Sequence, residues 1–341
     1  MDSKNTQDIP EWVLTMNNYG KRGLPFFFLI DFEMKKVQVI LSSDIKSILF
    51  DYNGITNVNF NNKTEIDSPP IADRALKNID FSFRKFPLSL KQYTAQFMSV
   101  LQQIKYGNSF LVNLTNKTPI DTSLTLDQIY QTTKAKYKLR FKDEFVIFSP
   151  ESFVKIDEHS VISTYPMKGT IDASLPNAEE KLLADEKELA EHHTIVDLLR
   201  NDLSKVARDV KVSKFRYIET IKTNQKILLQ ASSKIEGNVP DDWRSNIGTI
   251  LFKMLPAGSI SGAPKEMTLS IIGKVEEQDR GYYTGVTGLF DGVTIDSGVA
   301  IRYIEQDEDG MWFRSGCGIT NQSDLLSEYN EMIDKIYVPI G

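Results

Sequence analysis

Apolar and polar positions fall into short blocks of changing period along the chain. Residues 26–32 (FFFLIDF) and 37–41 (VQVIL) are apolar, β-branched or aromatic runs separated by charged residues, the pattern of a strand pair. Similar runs predict strands from Phe110 to Leu114, Phe145 to Phe148, Phe153 to Ile156 and Gly298 to Ile304. Helical spacing predicts helices from Leu90 to Tyr106, Leu124 to Lys136, Asn177 to Val206, Asp241 to Met254 and Asp324 to Tyr337. The Asn-rich stretch 53–70 closes on Pro69 and Pro70 and reads as an irregular connection. Residues 1–75 are therefore expected to form an N-terminal β-rich layer, and 76–341 the larger catalytic domain, of one globular unit. Strands and helices come mixed rather than in strict alternation. This predicts an α+β fold, with large antiparallel β-sheets packed together and flanked by helices.

Composition changes this picture little. At 341 residues and 41% hydrophobic, the chain can bury a substantial core. Its 40 basic and 46 acidic residues leave a net charge of -6, which gives no global attraction to nucleic acid or to an anionic membrane. Any anionic ligand must be held locally. One cysteine, Cys317, excludes an internal disulfide framework, and no apolar run approaches the roughly 20 residues of a membrane span. The opening MDSKNTQDIPEW lacks the layout of a signal peptide, so a cytoplasmic protein is expected.

Two helical segments carry carboxylates in informative places. In 176–207 the apolar stripe runs through Leu183, Ile195, Leu198 and Leu199, and Glu191 falls on it. An inward carboxylate needs a partner or a metal; a stripe assigned one turn off would leave Glu191 in solvent. On the last helix Glu328, Glu331 and Lys335 share one face, opposite Leu325, Met332, Ile333 and Ile336. Two acids and a base could hold a divalent cation beside an anionic substrate, or Glu331 and Lys335 could simply be a solvated i, i+4 pair.

Two further segments bear polar chemistry. LPAGSISGAPK (255–265) brings Gly258, Ser259, Ser261, Gly262 and Pro264 ahead of a helix, where free N–H groups could receive an anion, although a connecting turn has the same composition. Its spacing is not that of a P-loop, because Ala263 and Pro264 separate Gly262 from Lys265. STYPMKGT (163–170) places Lys168 in a predicted turn. A lysine becomes nucleophilic when desolvation or a nearby cation lowers its pKa, but most turn lysines are solvated.

Taken in order, SPESF (149–153), PMKGT (166–170), DEKELAEHHTIVDLLRNDLSKVA (185–207), LPAGSISGAPK (255–265), RGYYTGVTG (280–288), AIRY (300–303), SGCGI (315–319) and SEYNEMIDK (327–335) closely resemble the chorismate-utilising enzymes. That family includes the large subunits of anthranilate synthase and aminodeoxychorismate synthase, and the isochorismate and salicylate synthases. A weaker match, GNSFLVNL (107–114), lies upstream. The members that form aminodeoxychorismate resemble PIKGT, with lysine where the sister enzymes carry a small residue; here it is Lys168. Isochorismate-type members carry a water-activating lysine in the strand aligned with FLVNL, and aminating members usually glutamine. This chain has Leu111. No segment resembles the tryptophan-binding LLES element, so feedback by tryptophan is not expected.

The resemblance implies amination of chorismate at C4, with Lys168 as covalent nucleophile and Glu151 as general acid. It implies Mg²⁺ held by Glu191 and Glu331, with Glu328 ligating directly or through water. Substrate would meet Gly169, Thr170, Ser259, Gly262, Tyr283, Arg302, Lys335 and the backbone of Gly316 and Gly318. The chain shows no glutaminase: Cys317 is its only cysteine, and no motif makes His159, His192 or His193 its base. Ammonia would then come from solution or from a separate glutamine amidotransferase subunit. Anthranilate synthase component I and a non-catalytic chorismate-binding protein are the competing expectations.

Overall fold

A computed structural model describes residues 9–60, 81–222 and 227–338. Among them, two nine-stranded sheets form, and every pairing is antiparallel. The first runs Val37–Leu41, Phe26–Ile30, Val286–Phe290, Ile295–Val299, Ser152–Ile156, Val161–Thr164, Ile227–Asn238 and Met167–Asp172, with Arg208–Lys222 also paired to Ile227–Asn238. The second runs Ile55–Thr56, Ile48–Tyr52, Tyr137–Phe141, Phe145–Ser149, Tyr303–Asp307, Gly310–Thr320, Leu111–Thr122 and Gly262–Ala263, with Phe83–Lys85 also on Leu111–Thr122. With the flanking helices this is the α+β architecture the pattern predicts.

The run FFFLI shows why the sheets stack. Alternate side chains of a strand point to opposite faces. Phe26, Phe28 and Ile30 enter one core cluster with Tyr93, Phe97, Ile195 and Leu199 from the helices. Phe27 and Leu29 enter another with Phe50, Tyr52, Tyr137 and Leu139 from the second sheet. A strand buried on both faces shows no polar alternation, which is how this run reads.

The described part of the N-terminal segment is divided between the two sheets: Phe26–Ile30 and Val37–Leu41 edge the first, Ile48–Tyr52 and Ile55–Thr56 the second. Of the stretch 53–70, Ile55–Thr56 is a strand and Asn57–Phe60 one helical turn. Pro69, Pro70 and the boundary at 75 lie outside the described residues.

Three predicted elements are cut differently. The single strand expected from Gly298 to Ile304 is two strands, Ile295–Val299 and Tyr303–Asp307, belonging to different sheets. The chain crosses between them at Arg302, whose φ of 53° lies in the left-handed region. The helix expected over Asn177 to Val206 is Ala178–Ala184 followed by Glu186–Ser204. Asp185 breaks it by adopting extended dihedrals and accepting the Glu188 N–H at 2.9 Å as an N-cap. Lys168 lies not in a turn but in the irregular strand Met167–Asp172, where the register slips between Met167 and Thr170.

Candidate active site

The site forms where the long acidic helix, the last helix, the end of Phe145–Ser149 and the strand Met167–Asp172 meet. N-caps fix both helices: Asp185 starts Glu186–Ser204, and Asp324 accepts the Ser327 N–H at 2.9 Å to start Leu325–Asp334. Glu188 and Glu191 therefore leave the first helix one turn apart, and Glu328 and Glu331 leave the second in the same way.

Between them lie three lysines. Lys168 Nζ is 2.7 Å from Glu191 Oε2. Lys187 Nζ is 3.8 Å from Glu191 Oε1 and 4.0 Å from Glu328 Oε1. Lys335 Nζ is 2.7 Å from Glu331 Oε1 and donates to Gly316 O at 2.8 Å. Glu191 thus faces inward onto a partner, not solvent, and Glu331 and Lys335 form a pair within the site.

The charges follow their surroundings. Burial works to lower the Lys168 pKa, but Glu191, Glu331 and Glu188 outweigh it and the pKa is raised, the reverse of what a nucleophilic amine needs. Burial works upward on Glu331, yet Lys335, Lys168 and Lys187 bring its carboxyl below the usual range. Glu328, 3% exposed, is raised by burial and by the neighbouring Glu331.

Glu151, between the strands Phe145–Ser149 and Ser152–Ile156, feels the Lys168 charge and accepts a hydrogen bond from Ser259 Oγ at 2.5 Å. Burial raises its pKa, against the opposing pull of Ser259, Lys335, Lys168 and Lys136. Ser259 comes from a short helix, Gly258–Ser261, rather than an open loop. Its exit, Gly262, has φ 135° and lies so close to Leu111 O that a Cβ there would come within 1.9 Å. Only glycine fits. The same strand contact, Ala263 opposite Leu111, puts Leu111 in the site wall, with its Cδ1 3.0 Å from where a Cβ on Gly318 would be.

Arg302 and Lys335 line an open pocket of about 480 Å³ with Glu331, Asn330, Asp334 and Tyr337. The Arg302 guanidinium lies 5.4 Å from the Tyr337 ring centroid. Gly316 and Gly318 face Thr115 and Asn113 in the sheet ladder behind. Thr170 is exposed and accepts from Gln230 Nε2 at 3.5 Å. Tyr283 is set apart from the pocket, 4% exposed among the aromatic residues of the second core cluster. Cys317 is buried against the Tyr93 hydroxyl at 3.2 Å, and burial pushes its thiol up to about 12.

Residues 59–341 match the family of chorismate binding enzymes. The chain belongs to that family. An uncharacterized PabA-like protein of Pasteurella multocida is 49% identical over 95% of this chain and 97% of its own length. An anthranilate synthase component 1 of Haloarcula marismortui is 32% identical over 69% of this chain and 48% of its own. Aminodeoxychorismate synthase component 1 of Bacillus subtilis is 29% identical over 79% and 59%. A solved isochorismate synthase of Bacillus anthracis shares the fold at TM-score 0.66, with 18% identity over 94% of this chain and 85% of that one. Chorismate is accordingly the substrate class of this chorismate-binding chain. No helix among the described residues is long and apolar enough to cross a membrane.

Two residues of this candidate site were missed in the sequence. Glu188 Oε2 is buried with no hydrogen-bond partner among the described residues, and it would lie 3.2 Å from a Cβ on Gly169 (φ 86°). Its spacing of three residues from Glu191 was the available signal. Lys187 gave none, since a lysine on an acidic helix reads as solvated. Glu188, Glu191, Glu328 and Glu331 supply the hard oxygen donors that Mg²⁺ takes, and the buried Glu188 oxygen has no hydrogen-bond partner among the described residues. No three of them converge into a ready-made cation cage among the described residues, because Glu191 and Glu331 are drawn onto lysines.

Proposed function

We propose that the protein aminates chorismate at C4 to 4-amino-4-deoxychorismate, the precursor of p-aminobenzoate and folate, with ammonia from a separate glutamine amidotransferase subunit and within the cytoplasm. The observation that carries this reading is Lys168. It occupies the position where the aminating members resemble PIKGT, and it pairs with the Glu191 carboxylate while its charge reaches Glu151.

Chorismate carries two carboxylates and a hydroxyl that is a poor leaving group. Arg302 and Lys335 would hold carboxylate, Arg302 through its planar fork. The Ser259 hydroxyl, the backbone of Gly262, Gly316 and Gly318, and Gly169 with Thr170 would shape the cradle. Glu151, its pKa raised by burial, would give a proton to the departing C4 oxygen. The Lys168 amine would attack C2 as that oxygen leaves as water, and the ring double bonds shift. Ammonia then adds at C4, the double bonds shift back, and the C2–lysine bond breaks. Two easier displacements replace one hard one.

Glu191 and Glu331, with Glu328 and Glu188 beside them, would hold Mg²⁺, which supplies charge neutralisation for a bound carboxylate. Incubation of the purified chain with chorismate, ammonium and Mg²⁺, followed by product identification, tests the reading. Aminodeoxychorismate is expected, and anthranilate or isochorismate as main product would refute it. Glutamine in place of ammonium should give no product with this chain alone.

A further inference from the structure

We propose that Lys168 and the divalent cation compete for Glu191, so that cation loading is what releases this lysine into the site; the inference rests on the reading of Glu191 as a cation ligand. Both oxygens of Glu191 face ammonium groups, Oε2 that of Lys168 at 2.7 Å and Oε1 that of Lys187 at 3.8 Å. Lys187 also reaches Glu328 at 4.0 Å, so one lysine spans the two helices whose carboxylates would close around the cation.

Mg²⁺ takes carboxylate oxygen at about 2.0–2.1 Å in near-octahedral geometry and keeps several waters. An ammonium already 2.7 Å from the same oxygen occupies that shell and repels the ion. With both on Glu191 Oε2, two cations face each other across one oxygen and repel. The lysine is the one built to move: its charge sits on a flexible four-carbon stem, about a third of its side chain is exposed, and the strand slips register beside it. Lys335 differs, because Gly316 O gives it a second anchor besides Glu331. Glu151 lies within electrostatic reach of Lys168, which works to lower its pKa. A lysine displaced from Glu191 therefore still has the proposed acid within its field. Lys187 acts as the second counter-ion, holding the two helices together until the cation replaces it.

Calorimetric titration of Mg²⁺ into the substrate-free protein at neutral pH tests this without reference to turnover. Lys168→Met is expected to bind Mg²⁺ about tenfold or more tightly than wild type, because a like charge next to the ion is gone. Lys187→Met should tighten binding by a smaller factor, about threefold, as its distances are longer. It carries the test if Lys168→Met does not fold. Unchanged or weaker affinity in both variants overturns the competition, and with loss of binding in Glu191→Gln it leaves the ligand assignment standing. Glu191→Gln that binds Mg²⁺ as wild type does removes the ligand assignment, and the competition with it.

Discussion

Two carboxyls of the site, Glu331 and Glu151, stand in surroundings that push their pKa values in opposite directions. Glu331 meets Lys335 at 2.7 Å and its carboxyl falls below the usual range. Glu151 meets a serine hydroxyl and, among the described residues, no cation within ion-pair distance, and burial raises it. Ionised carboxylates suit cation and substrate anchoring, and a protonated one suits proton donation. Environment rather than residue type sorts these roles. Lys168 acts on both electrostatically and is itself paired with Glu191.

The largest effect that would break this comparison comes from Lys168→Ala. Turnover to aminodeoxychorismate should fall below detection in a coupled assay with ammonia, while the circular dichroism spectrum is unchanged. Wild-type turnover in that variant would leave the lysine as a bystander.

Next comes the carboxyl whose pKa is raised. Glu151→Gln keeps the shape but cannot give up a proton, and a loss of kcat of roughly 10²–10⁴-fold is expected. Lys335→Met, by contrast, should act on KM for chorismate. A Glu151→Gln variant altered only in KM would place that residue with the binding groups.

A subtler change sharpens the contrast. The Ser259 hydroxyl lowers the Glu151 pKa by bonding its charged form, so Ser259→Ala should raise it further. A general acid works in its protonated form, and its contribution is lost as pH rises through its pKa. The alkaline limb of the kcat profile should then move to higher pH in the variant. Movement to lower pH would mean that Glu151 is required as a base.

The smallest effect tests how the acidic helix is built. Asp185→Ala removes the N-cap that starts the helix of Glu188 and Glu191, and should cost about 1 kcal/mol in denaturant unfolding. No loss of stability would show that packing alone sets this helix.

What could be read from the sequence was local. The double-sided burial of FFFLI is written in five consecutive apolar residues, and Glu191 on a stripe with Ile195 and Leu199 points inward in the fold as its spacing predicts. Breaks were harder. VAIRYI reads as one strand because four of its six residues, Val299, Ile301, Tyr303 and Ile304, favour β structure, and only the left-handed backbone at Arg302 shows that the chain changes sheets there. The helix break at Asp185 hides inside a continuous run of good helix formers. Pairings between distant segments were not legible at all. That Leu111 would lie beside Gly262 and Gly318, or that Lys168 would reach Glu191, depends on registers that no short window contains.

The central claim, that Lys168 bonds to the substrate, is tested most directly by intact-protein mass spectrometry of the wild-type chain incubated with chorismate and Mg²⁺ without ammonia. The account predicts a mass gain of chorismate minus one water, mapped by digestion to the peptide containing Lys168 and discharged by added ammonium as aminodeoxychorismate appears. Turnover on ammonium addition with no adduct at any time, or an adduct that persists in Lys168→Ala, would contradict it.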